Sequence, residues 1–293
     1  MWLLCALLSA VCFGLRGILY QWSSQKPIDR NLMLFGVFST GAVGSLAASW
    51  LTAASWPPAV LFGILMGFFS FLANAAMYKG FEVAKAALIA FLVSLASVAD
   101  LLLALVLWGE KPNLPQWIAF VVVVAGVLLV RYSGDISLKN LRGAYWGVIT
   151  MLLFSFTDLT NKQATLLAAP LFPTLSLMFM TGAFLFCGTW LAGRIRPRKK
   201  TADAASASRG ILWNGRKTYG WGLLVGVTNM LGMVFIYLGF TYGVTGLVAA
   251  VVSVNVVLII LYAWVFLKEK TTPLEIAGMS LALFGVVLLG MLQ

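Results

Sequence analysis

Stretches of about 20 mostly apolar residues, long enough to cross the hydrocarbon core of a bilayer as a helix, recur along this chain with little but short turns between them. In lipid the backbone must satisfy its own hydrogen bonds, so such stretches fold as helices packed side by side. Ten are legible, at 2–21, 32–53, 58–79, 84–107, 114–131, 143–163, 171–193, 219–239, 244–267 and 273–291. Composition agrees: 61% of the 293 residues are apolar and 10% are charged, far from a water-soluble domain. Pro57, Pro58, Pro112, Pro115, Pro170, Pro173 and Pro273 fall in connections or first turns, where a missing N–H costs little. The first stretch starts at Trp2 with no basic region before it and no evident cleavage site after it. It reads as a retained helix and not as a signal peptide.

Several function classes drop out. Histidine is absent, and Cys5, Cys12 and Cys187 lie inside apolar stretches without disulfide or metal spacing. There is no Walker loop and no GxGxxG after a strand. The expectation is therefore no catalytic residue, no metal, no cofactor and no enzyme. The net charge of +11 has no soluble domain to offer it to nucleic acid, and reads instead as a topology signal. The expected partners are a small-molecule substrate and the lipid bilayer, with the chain a monomer or homodimer.

The sequence also repeats itself. Shifted by 159 positions, residues 61–130 align on 220–289 without a gap. Gly63, Gly67, Leu72, Tyr78, Gly80 and Phe81 meet Gly222, Gly226, Leu231, Tyr237, Gly239 and Phe240. Val93 and Ser94 meet Val252 and Ser253, Glu110 and Lys111 meet Glu269 and Lys270, and Gly126 and Val127 meet Gly285 and Val286. A weaker match at a shift of 141 sets Phe13 on Phe154. The fold class is thus all-α and integral to the membrane, with ten transmembrane helices as two inverted five-helix repeats. An odd number of spans per copy turns the second copy over. The expected units are 1–131, a connecting loop at 132–142, and 143–293 with a basic loop at 194–218.

Inversion predicts opposite charge bias in equivalent loops. The loop after the second span has no Lys or Arg, whereas its counterpart carries Arg194, Arg196, Arg198, Lys199, Lys200, Arg209, Arg216 and Lys217. Lys79 and Lys85 flank the third loop, and the eighth has neither. With Lys26, Arg30, Arg131, Lys139, Arg142, Lys268 and Lys270, nearly all basic residues lie at odd-numbered loops. The positive-inside rule then puts those loops in the cytoplasm and both termini outside, in the cytoplasmic membrane. The loop at 194–218 reads as a tether near anionic lipid.

The segments Met77 to Leu95 and Tyr237 to Val254 lead to Trp108-Gly-Glu-Lys111 and Leu267-Lys-Glu-Lys270, and the repeats end in Gly126-Val-Leu-Leu and Gly285-Val-Val-Leu. They resemble the EamA-type repeat of the drug/metabolite transporter superfamily, and Phe13-Gly14 is similar to that repeat's small-residue start. The resemblance covers nearly the whole chain. It implies ten helices around a cavity lined by spans one, three, four, six, eight and nine, working by alternating access. Two features depart from it. Many members carry a proline midway along spans four and nine, where this chain reads Leu95-Ala96 and Val254-Asn255, which removes the usual cause of a kink. Better-known members keep both termini in the cytoplasm, against the charge bias here.

Ionisable groups within spans are costly and usually face a partner or a cavity. Arg16 lies deep in the first span and Asp158 deep in the sixth, at near-equivalent positions under the 141 shift, so the two are candidates to face each other. Arg16 offers a planar fork to a carboxylate or phosphate, or a permanent ion pair with Asp158. Lys162, one turn on, is a rival partner for Asp158, with Thr157 and Asn161 beside it. Asp100, near Ser97 and Ser94, is with Asp158 a candidate for ion coupling. With Arg16, Asp158 and Asn161, the candidate substrate-binding set includes Asn229 and Asn255, equally readable as interhelical hydrogen bonding, and Tyr20, Tyr78 and Tyr237, which read more readily as packing or interfacial residues. The GxxxG spacings at 63 and 67 and at 222 and 226 read as packing seams. The function expected is a secondary transporter of a small metabolite, with a flippase for a lipid-linked substrate as the alternative.

Overall fold

The computed structural model describes residues 1–24, 26, 28–84, 86–132, 143–195, 213–266, 268 and 272–291, and these form helices and short turns only. The expected connecting loop at 132–142 and tether at 194–218 thus fall largely outside the described residues, as does most of Leu267-Lys-Glu-Lys270. Among the described residues twelve α-helices follow in order: α1 (Trp2–Ser24), α2 (Arg30–Leu51), α3 (Phe62–Val83), α4 (Ala86–Ser94), α5 (Ala96–Trp108), α6 (Leu114–Arg131), α7 (Ala144–Leu166), α8 (Leu171–Ile195), α9 (Gly215–Tyr242), α10 (Thr245–Ser253), α11 (Asn255–Phe266) and α12 (Pro273–Met291). Helices α4 with α5, and α10 with α11, are single spans broken in the middle, which leaves ten. Nine of the ten are both long and apolar enough to cross a membrane among the described residues. The tenth, α7, has the length but carries Asp158 and Lys162.

The breaks correct the expectation drawn from the missing prolines. They fall at Leu95 and Val254, 159 residues apart, where ψ relaxes to −2° and −8°. At each, the preceding serine turns back on its own helix: Ser94 Oγ donates to the Phe91 carbonyl at 2.6 Å and Ser253 Oγ to the Ala250 carbonyl at 2.7 Å. The next amide bonds three residues back, Leu95 to Leu92 at 3.1 Å and Val254 to Val251 at 3.2 Å. A serine hydroxyl competing for a carbonyl, plus a tightened turn, bends a helix without proline.

Packing repeats with the sequence. Helix α3 lies on α7 and α8, and its counterpart α9 lies on α1 and α2; α2 meets α8 and α6 meets α12. Glycines make the two mirrored seams. A β-carbon on Gly63 or Gly67 would strike the Thr174 or Met178 carbonyl of α8, and one on Gly222 or Gly226 would strike the Met33 or Val37 carbonyl of α2. Small residues let the backbones touch, the packing lipid-embedded helices depend on. Thr40 Oγ1 adds a bond to the Leu223 carbonyl at 2.8 Å.

The two ends of the bundle differ. One, here the Trp108 end, holds the helix ends at Leu51, Trp108, Leu166 and Tyr242; the Arg131 end holds those at Ser24, Val83, Arg131, Ile195 and Phe266. At the Trp108 end α5 packs on α10 and α7 on α9, whereas the equivalent pairs α4 with α11 and α1 with α3 have no comparable packing among the described residues.

Candidate functional site

Helical spacing places Phe13, Arg16 and Tyr20 on one face of α1. The Arg16 guanidinium lies 4.4 Å from the centre of the Phe13 ring and 5.8 Å from that of Tyr20, in cation–π range. Its Nη1 donates to Asn229 Oδ1 of α9 at 2.5 Å, and its buried Nε has no partner. Tyr20 and Tyr78 lie within electrostatic reach of this charge. Among the described residues no carboxylate pairs with Arg16. Asn255 opens α11 just past the break and sits beside α1: a β-carbon on Gly14 would come within 3.3 Å of its carbonyl. The structure therefore gathers Arg16, Tyr20, Asn229 and Tyr78, with Asn255 adjacent.

The candidate acids form a second group. Asp100 on α5 is fully buried, with Asp158 and Ser155 of α7 close enough to act on its carboxylate. The Ser155 hydroxyl reaches the Ala96 carbonyl at 3.2 Å beside them. Ser97 Oγ and both polar atoms of Asn161 are buried without partners. Asp158 makes an ion pair with neither candidate cation. Arg16 is held by Asn229, and Lys162 turns away to Glu110.

Towards the Arg131 end, the Arg30 guanidinium stacks 3.8 Å over the Tyr78 ring. There a cavity of about 340 Å³ opens between α2, α3 and α8, lined by Arg30, Asn31, Phe71, Tyr78, Lys79 and Phe186 among others. Tyr237, the equivalent of Tyr78, is 3% exposed, and its hydroxyl donates to the Ala169 carbonyl at the Trp108 end.

The residues that sequence reasoning passed over are Glu110 and Lys162 as partners. Lys162 Nζ lies 3.0 Å from Glu110 Oε1 and donates to the carbonyls of Phe240 and Gly243, each at 2.9 Å. Glu110 in turn accepts from the Thr245 amide at 2.7 Å and its hydroxyl at 3.2 Å. Gly109 sets this up. It ends α5 in the left-handed region at φ 66°, and the Glu110 amide turns back to the Ala104 carbonyl at 3.4 Å, a helix stop that favours glycine. The repeat match of Glu110 with Glu269 was a signal at this position, but it named no partner.

Residues 1–132 and 141–291 match the model of the EamA-like transporter family. No curated protein matches the chain. A solved crystal structure superposes with a TM-score of 0.74 at 14% identity, covering 99% of this chain and 96% of the other. At that identity the likeness is one of fold.

Proposed function

The chain belongs to the EamA-like transporter family, and from that membership we propose that it is a secondary transporter carrying a small organic anion across the cytoplasmic membrane by alternating access. The anion rests on one observation: Arg16, mid-span, is held by a neutral amide and two aromatic rings, with its Nε unpartnered. A charge within a span costs about 2.5–3.5 kcal/mol on insertion scales, and a counter-charge offsets that cost. A substrate carboxylate or phosphate supplies one and suits the guanidinium fork. In this reading Asn229 orients Arg16, and Tyr20, Tyr78 and Asn255 border the ligand.

Alternating access is supported by the unequal ends. Among the described residues, the two copies of one fold pack α5 on α10 and α7 on α9 at the Trp108 end without comparable contacts at the Arg131 end, and such copies have an alternative in which the packing is exchanged. Asp100 and Asp158 serve in this scheme as the coupling site. Neighbouring carboxylates in a medium of low dielectric repel when both are charged, so a proton bound between them relieves the repulsion. We further propose that the Arg131 end faces the cytoplasm, where the basic loops belong.

A thermal-shift screen of the purified protein against carboxylates, phosphate esters, sugars, nucleosides and organic cations tests the substrate class. A ligand of the folded state raises apparent stability, and the expected hits are anions whose effect needs a higher ligand concentration in Arg16→Gln. Stabilisation by organic cations or neutral sugars alone would sink the proposal.

A further inference from the structure

We infer that the buried Lys162–Glu110 ion pair is the bolt that holds the Trp108 end of the bundle shut. This rests on the alternating-access reading and names the contact that must break for the cavity to open on that side.

The pair spans the moving parts. Glu110 directly follows the Gly109 stop of α5 in the first half, while Lys162 on α7, the carbonyls of Phe240 and Gly243, and Thr245 at the start of α10 all belong to the second. Both side chains are largely withdrawn from solvent, at 8% and 14% exposure. An ammonium has three donors; here two go to the Phe240 and Gly243 carbonyls, and Glu110 lies 3.0 Å away as the counter-charge. The arrangement is also directional. The cation meets carbonyls at the C-terminal end of α9, and the carboxylate meets the first amide of α10, each charge at the helix end that favours it. Separating α5 from α10 strips Glu110 from Lys162 and leaves two buried charges in need of water. The contact is therefore either made or flooded, which is how a gate behaves.

Two sequence differences between the halves make the bolt one-sided. The 141-residue offset puts Gln21 where Lys162 stands, so the opposite end has a neutral amide at that position. The 159-residue offset puts Ala87 where Gly246 stands. The bare Gly246 backbone admits Leu101, which lies where its β-carbon would be, and so α5 and α10 approach closely.

The test uses a reporter, Ala104→Cys, in a chain whose Cys5, Cys12 and Cys187 are replaced by alanine. Ala104 is fully buried one turn beyond Leu101 on α5, and a charged, water-soluble thiol reagent reaches it only when this end opens. In proteoliposomes, Lys162→Met and Glu110→Gln should each label at least about tenfold faster, a population shift of the size one lost ion pair produces. Lys162→Arg should stay near the parent rate. The charge-exchanged double variant E110K/K162E should label as fast as the single variants, because a carboxylate at 162 would meet the Phe240 and Gly243 carbonyls. Thr245→Val removes one bond to Glu110 and leaves both charges in place, so it serves if the other two variants fail to fold; it should label severalfold faster. A parent labelling rate in Lys162→Met or Glu110→Gln, or in Thr245→Val where those do not fold, overturns the bolt. Solute flux separates this from the transporter reading. Unchanged labelling in a chain that transports removes only the bolt, and faster labelling in a chain that moves no solute removes only the transporter.

Discussion

At Arg16 the chain holds a guanidinium in place through groups that leave its charge uncompensated: Phe13 and Tyr20 on its own helix and Asn229 from α9. A hydrogen bond to a charged group contributes about 1.5–3 kcal/mol. Arg16→Gln is therefore expected to weaken anion binding about ten- to hundredfold, read from the ligand concentration that half-saturates the thermal shift. Arg16→Lys keeps the charge but loses the fork and should fall between. Equal affinity in all three proteins would remove Arg16 from the site. That Arg16 and Asp158 are candidate site residues was legible from their depth in otherwise apolar spans. That they do not pair was not. Equivalent residues meet across a pseudo-twofold axis only where their helices touch, and α1 packs on α9 while α7 packs on α3. Lys162 shows the same limit. Its helical neighbour Asp158 was the nearest acid in sequence, yet two carbonyls and a carboxylate from distant segments claim it.

Helices here are defined by what their backbones approach. The seams at Gly63 and Gly67 and at Gly222 and Gly226 were readable as small-residue spacing, and the structure adds their partners, α8 and α2. Overpacking a tight interface costs about 1–3 kcal/mol. Gly67→Leu and Gly226→Leu should each lower the melting temperature, and by similar amounts, because the two seams are mirror copies. A fall in one variant and none in the other would show that the halves do not share their packing. The breaks at Leu95 and Val254 were not readable. The residue that bends each helix is a serine whose hydroxyl takes a carbonyl, and the same residue type in Ser39 bonds the Phe35 carbonyl within unbroken α2.

For the whole molecule the central matter is sidedness. Cysteines placed at Ala54 and at Lys217 are expected to label from opposite faces of the membrane, with Lys217 reached only from the cytoplasm; labelling of both from one face would end the inverted arrangement. The proposed coupling belongs to this scale as well, because in that scheme a proton taken up at Asp100 and Asp158 leaves on the other side of the membrane. Asp100→Asn should transport at a rate independent of an imposed proton gradient. A gradient dependence equal to that of the parent would remove Asp100 from the coupling site.

The sequence by itself determined that the chain is a ten-span helical membrane protein with an internal repeat, because hydrophobic length and residue-by-residue self-similarity are properties of the linear chain. Its basic residues likewise set the expected direction of insertion. Only the tertiary structure decided which polar groups meet, where the spans break, and at which end the described helices of the two halves pack more closely. Those depend on side chains reaching across helices that are distant in sequence, as Glu110 does to Lys162 and Thr245. A periodicity says which face of a helix is apolar, but partners for the few buried charges are chosen by geometry, since each must find its hydrogen bonds inside a medium that offers none.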